Sequence, residues 1–174
     1  MEKSNGFKYY SKKELLLRVL WSLIIPLWIL SPRHFWFWRR WLIRLFGGQI
    51  ANNVRIYPSV NISQPWNLLI KKDTTIGWGA VIYAIGTIKI GEGVTISQRA
   101  HLCAGTHDIR DRSLPLIKSS IEIKDYVWIA SEAFIGNGVK IGKNTVIGAR
   151  SVVFSDVSDN NVVIGNPAKI IKKR

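Results

Sequence analysis

Three histidines, at positions 34, 101 and 107, are the chain's only imidazoles. Imidazole titrates near pH ~6.5, so it can take or give a proton at neutral pH. The three keep different company. His34 lies among tryptophans and arginines and reads as a packing or surface residue. His101 falls inside a regular stretch just before Leu102, a position suited to lining an acceptor cleft. His107 opens the run "HDIRDRSLPLI", where the regular stretch breaks off. Irregular segments held on a rigid scaffold commonly carry function, so His107 is the candidate general base. Asp108 follows it as an orienting carboxylate or a turn former. Arg110 and Arg112, with Asp111 between them, suit a phosphate, an acidic sugar or plain solvent. Only His101 and His107 lie in the patterned body, too few for a three-histidine zinc centre, and no metal is expected.

The scaffold behind those residues is a repeat of six. Ile123, Ile129, Ile135, Ile141, Ile147 and Val153 form an unbroken aliphatic series. Earlier series run Ile50, Ile56, Ile62; Ile70, Ile76, Ile82; and Ile90, Ile96, Leu102. The phase slips by two at 63–69 and again near 83–89, and a long break spans 108–120. Neither a helical period nor strict alternation gives this pattern. Each hexad reads as an aliphatic, often a Gly, two turn residues, and a small or β-branched residue: one short strand and one tight turn. The aliphatic points inward, and a following Gly permits a bend where a Cβ would clash. Ala133, Val139, Thr145 and Ser151, each four places after an aliphatic, must also face in. Three hexads, about 18 residues, make a triangular coil that buries a core only by stacking on others.

Ahead of the body, residues 1–46 hold nine cations against Glu2 and Glu14, about half of the net +14, and five of the eight Trp. Two helices are expected here, at about 11–30 and about 33–46, with Ser31 as N-cap and Pro32 in the first turn of the second. The longest uncharged run, Val19 to Pro32, is 14 residues and contains Pro26, short for a bilayer span of roughly 20. Cations interleaved with Trp suit an interfacial helix on anionic lipid; equally, the aromatics could cover an end of the body or a subunit contact.

A composition that is 47% hydrophobic and 21% charged excludes a disordered chain, and the lone Cys103 excludes an intramolecular disulfide and favours a reducing compartment. The positive charge permits nucleic acid, but no nucleic-acid-binding motif is present and no such partner is expected. The expected organisation is a basic aromatic helical segment, 1–46, and a repeat body, 47–174, with a loop at 108–120 and a basic C-terminal tail.

Four stretches, "VRIYPSVNISQPWNLLI", "ISQRAHLCAGTHDIRDRSLPLI", "VWIASEAFIGNGVKIG" and "VIGNPAKIIK", with the lead-in "RRWLIRLFG", resemble the hexapeptide-repeat acyltransferases, closest to exopolysaccharide O-acetyltransferases of the colanic-acid type. The resemblance covers about residues 47–172. It implies a left-handed parallel β-helix, although the usual rule for parallel crossovers is right-handed. It implies acetyl transfer from acetyl-CoA to a sugar hydroxyl by a homotrimer, with no metal, and the enzyme is expected on the cytoplasmic side. It implies His107 as catalytic base. On the CoA side it implies Trp128 as a wall, Ser131 for its backbone N–H, Ala149 as a small residue beside the cofactor, and Lys169 and Lys172 near the adenosine end. Acceptor contacts fall to Tyr83, His101, Asp108, Arg110 and Arg112. The chain departs from the pattern at Phe154-Ser155, where relatives often have Thr-Lys, and in lacking an acceptor-binding Asn, for which Tyr83 is the nearest candidate. The rival function is a non-catalytic β-helix acting as scaffold or binding module.

Overall fold

The computed structural model describes residues 10–174, so the charges counted at Glu2, Lys3 and Lys8 lie outside the described residues. The hexad aliphatics fold inward as their spacing requires. Ile123, Ile129, Ile135, Ile141, Ile147 and Val153 are each 2% exposed or less. Ala133, Val139, Thr145 and Ser151 are buried beside them. A Cβ at Gly142 would stand 2.4 Å from the Asp159 amide nitrogen, so the residue after an aliphatic can be Gly for want of room.

Stacked coils give the body three parallel faces. The first carries the column Ile50, Ile70, Ile90, Ile123 and Ile141. On the second lie Ile56, Ile76, Ile96, Ile129, Ile147 and Val163. On the third lie Ile62, Ile82, Leu102, Ile135 and Val153. Along the first column, Ile50, Ile70, Ile90, Ile123 and Ile141 are 20, 20, 33 and 18 residues apart. All the extra residues fall on one edge, between the third face and the first. The two phase slips and the long break are therefore one feature: a single irregular edge on an otherwise regular prism.

Hydrogen bonding between the stacked strands runs one way, and the turns between them donate back. Ala51, Tyr57 and Ser63 donate their N–H groups to the Ile70, Ile76 and Ile82 carbonyls of the next coil. The first coil's own carbonyls thus have no coil before them, and unpaired buried carbonyls are costly. The N-terminal segment supplies the missing donors. It forms α1 (Lys12–Ile29) and α2 (Trp36–Leu45) across that end. Trp21 Nε1 donates to Ile62 O at 2.8 Å and Trp28 Nε1 to Val60 O at 3.1 Å. Arg39 Nε donates to Ile56 O at 2.6 Å, Arg40 to Val54 O at 2.9 Å and Arg44 to Ile50 O at 2.7 Å. Indole and guanidinium carry donors and no acceptor, which is what an edge of carbonyls requires. Trp21, Trp28, Leu42, Ile43 and Phe46 continue the coil's hydrophobic core.

Arg39 is fully buried without a carboxylate. Besides Ile56 O it donates to Ser31 Oγ at 2.5 Å, to Pro32 O at 3.1 Å and to Arg33 O. Burial, and then the neighbouring Arg40, pull its pKa down to about 10, which leaves it charged at neutral pH.

These bonds correct the expected start of α2. The helix begins at Trp36, with Phe35 at the cap position and no side-chain cap. Ser31 instead closes α1, its hydroxyl donating to Trp28 O at 2.6 Å, while Arg39 donates to the Pro32 and Arg33 carbonyls of the turn that follows. The side-chain cap is on α1: Ser11 and Glu14 form a reciprocal capping box. Among the described residues no helix is long and apolar enough to cross a membrane.

At the other end the outward groups are N–H donors, and they meet acceptors. Lys140 N and Lys143 N donate to the Asp156 and Asp159 carboxylates, each at 2.8 Å. The expected tail is a strand, Ala168–Lys173, paired antiparallel with Asn161–Gly165.

Candidate active site

The irregular edge carries His107. The expected loop at 108–120 is instead a hairpin that leaves the coil earlier. Gly105–His107 pairs antiparallel with Leu116–Lys118, in the register His107↔Leu116. Leu116 and Ile117 read as a break in the hexad because they belong to the hairpin's second strand. Three contacts hold the hairpin's base. Ile85, 2% exposed, packs beneath Gly105, where a Cβ would come within 2.0 Å of the Ile85 Cδ1 atom. Asn67 donates to Ala84 O at 2.8 Å and ties the same edge one coil earlier. Lys118 Nζ meets Glu14 Oε1 at 2.9 Å, linking the hairpin to the first turn of α1.

On this mount the His107 ring is exposed, and its Nδ1 lies 2.6 Å from Leu114 O. A carbonyl can only accept, so Nδ1 carries a proton, and in the neutral ring Nε2 is the nitrogen with the lone pair. That tautomer leaves Nε2 as the candidate base. Asp108 takes no part in it. Its carboxylate receives Arg110 Nε and Nη2, each at 2.9 Å, and that bond holds the Asp108 carboxyl below the usual range. Arg112 is exposed on the same hairpin. Tyr83 lies at the edge one coil earlier, 38% exposed, its phenol pushed up by burial and then by Tyr10. His101 projects outward from the third face, edge-on to Phe134 at 5.2 Å. Its Nε2 is buried without a partner, and burial pushes the imidazole pKa down. Phe134 continues to Phe154 at 5.7 Å.

The remaining candidates gather elsewhere. Trp128 stands on the second face, half exposed, its Nε1 donating to Ser97 Oγ at 2.9 Å. Ser131 and Ala149 occupy the edge between the second and third faces, one coil apart, where Arg150 N donates to Ser131 O. Lys169 and Lys172 are exposed on the closing strand that extends the second face. Within one chain, then, His107, Asp108, Arg110, Arg112 and Tyr83 share one edge, and the third face with His101 separates them from the Trp128 group.

Sequence reasoning missed several residues. A cavity of about 390 Å³ on the second face is lined by Tyr57, Trp78, Ser97 and Gln98 among others. Trp78 is half exposed beneath the Arg99 guanidinium. A bulky ring at a turn position of "IGWG" was the available signal. Gly105, Ile85 and the Glu14–Lys118 pair had none, because their partners are remote in sequence.

Similarity to known proteins accords with this geometry. The family model for bacterial transferase hexapeptide (six repeats) matches residues 120–155. WcaF of Escherichia coli (strain K12), assigned as a colanic acid biosynthesis acetyltransferase, is 38% identical over 158 residues, covering 91% of this chain and 87% of the relative. The chain belongs to the hexapeptide-repeat acyltransferase family. The galactoside O-acetyltransferase of the same organism is 30% identical over 138 residues, covering 78% of this hexapeptide acyltransferase and 68% of that protein. A solved hexapeptide-repeat acetyltransferase of Vibrio cholerae, complexed with acetyl coenzyme A, superposes with a TM-score of 0.84 at 28% identity, covering 94% of this chain and 90% of that one. The stacked prism of this hexapeptide acyltransferase is the family's left-handed parallel β-helix.

Proposed function

We propose that the protein transfers an acetyl group from acetyl-CoA to a hydroxyl of a saccharide acceptor in exopolysaccharide assembly, with His107 as general base. The observation that carries this reading is the His107 ring, whose Nδ1–H is held by the Leu114 carbonyl so that Nε2 is free to accept a proton. A sugar hydroxyl is a poor nucleophile until a base is placed near its proton. Nε2 takes that proton as the oxygen bonds to the thioester carbonyl carbon. The tetrahedral oxyanion then collapses, the carbon–sulfur bond breaks, and the imidazolium returns its proton to the departing CoA thiolate. The Ser131 backbone N–H is the candidate donor beside the thioester, Trp128 the wall of the pantetheine path, Ala149 the small residue that lets it pass, and Lys169 and Lys172 the cations for its phosphates. Tyr83, His101, Asp108, Arg110 and Arg112 are the acceptor-side candidates.

The two groups stand on different edges of one chain. That supports a homotrimer in which the hairpin of one copy faces the cofactor groove of the next. The same reading sets the enzyme on the cytoplasmic side, with its basic segment at the inner face of the membrane. The test is release of free CoA thiol from acetyl-CoA by the purified protein across a panel of saccharides. Release that requires a hydroxyl-bearing sugar, with the acetyl ester recovered on it, is the expected result. Release indifferent to acceptor, or none with any sugar, counts against the reading.

A further inference from the structure

An α-helix that is apolar all round is ordinarily buried all round. α1 is apolar on nearly every side, and this chain covers one side only. Leu17, Trp21, Ile24 and Trp28, spaced by four, three and four, face the first coil. Leu16, Leu20, Leu23, Leu27 and Leu30, with the same spacing, do not: Leu23 is 68% and Leu30 81% exposed. The apolar surface continues into a groove of about 290 Å³ between α1 and α2, lined by Leu27, Leu30, Pro32, Phe35, Phe37 and Trp38. Phe37 is 60% exposed, and Trp41 stacks on Trp38 at 5.2 Å.

The charge around this surface has one sign. Lys12, Lys13 and Arg18 on α1 and Arg33 in the turn after it are exposed. The only carboxylate from residue 12 to 46 is Glu14, and it is taken by Lys118 and by the Ser11 N–H. A twofold contact with a second copy through this surface would set cation against cation. An anionic interface meets it with opposite charge. Neither helix is long and apolar enough to cross a bilayer.

We propose that α1 and the start of α2 lie in the plane of an anionic bilayer surface, with the leucine row turned into the acyl region, the α1–α2 groove open to a hydrocarbon chain, and the four cations at headgroup level. The proposal rests on the membrane reading given above and assigns its contact surface. It also gives α1 two separate faces: donors toward the first coil and leucines toward lipid.

Flotation of the full-length protein tests it, with vesicles of phosphatidylcholine alone or mixed with phosphatidylglycerol. The intact protein is expected to float with the mixed vesicles and to release in high salt. The double variant Leu23→Asp/Leu27→Asp, both at exposed positions, is expected to partition at least about tenfold more weakly, with acetylation of a soluble saccharide unchanged. Lys12→Gln/Lys13→Gln is expected to bind more weakly and to depend less on phosphatidylglycerol. No flotation by the intact protein overturns the membrane reading and this surface with it. Wild-type flotation by the leucine variant overturns the surface alone. A smaller sedimenting mass for that variant in the absence of lipid overturns it too, by showing that the row covers another copy.

Discussion

Arginine-rich stretches occur twice in the molecule, and they do opposite things. In the cap, Arg39, Arg40 and Arg44 lie against the first coil, and their guanidinium groups meet main-chain carbonyls rather than acids. In the hairpin, Arg110 and Arg112 are exposed beside His107, and Arg110 is paired with the Asp108 carboxylate. The same residue type is structural where the coil leaves acceptors unpaired, and stands at the surface, on a neighbouring carboxylate or in solvent, where the backbone has already satisfied itself. Net charge therefore overstates what the N-terminal segment offers a partner, since three of its cations are bound to the protein's own backbone.

The comparison implies that the two regions fail differently. His107→Ala removes the base and leaves the mount, so turnover should fall by about a hundredfold or more with the melting temperature unchanged. A matched loss of melting temperature would show that the ring is structural. Arg39→Leu leaves the Ile56 and Arg33 carbonyls without their donor. It should cost about 3 kcal/mol of stability in denaturant unfolding, while the folded fraction keeps its turnover. Gly105→Ala drives a methyl into Ile85 and should shift the hairpin, lowering turnover about tenfold. Adding Ile85→Ala should recover most of that loss, and a cycle without recovery would place the strain elsewhere.

The smallest effect concerns pH. Burial holds His101 below its ordinary pKa, so the unfolded chain takes the proton first as pH falls. Stability should thus be level above about pH 6.5 and decline below it, down to the folded-state value. His101→Phe should flatten that decline in melting temperatures, and an unaltered profile would assign it to other groups.

How much of this was legible follows from how local each cause is. The six-residue series predicted which aliphatics are buried and which small residues share the interior, because each hexad carries its own strand and turn. The irregular stretch drew attention to His107 for the same reason. The hairpin was read as a loop from 108, whereas its strand begins at Gly105 and depends on Ile85 in the preceding coil. Ser31 carried a helix-start signal that was overridden, because Arg39 binds its hydroxyl and the two carbonyls that follow. Propensity counts only near neighbours, and the competing bonds come from six to eight residues away.

The sequence by itself determined that the chain coils, since a period of six with inward aliphatics has one economical way to bury them. It also determined that an imidazole sits where the coil is interrupted. Only the tertiary structure decided that every interruption falls on one edge, that a carbonyl holds the imidazole's Nδ1 there, and that tryptophan and arginine cap the first coil. Those outcomes depend on which way the backbone groups of stacked coils point, a direction that no stretch of residues carries until its neighbour is in place.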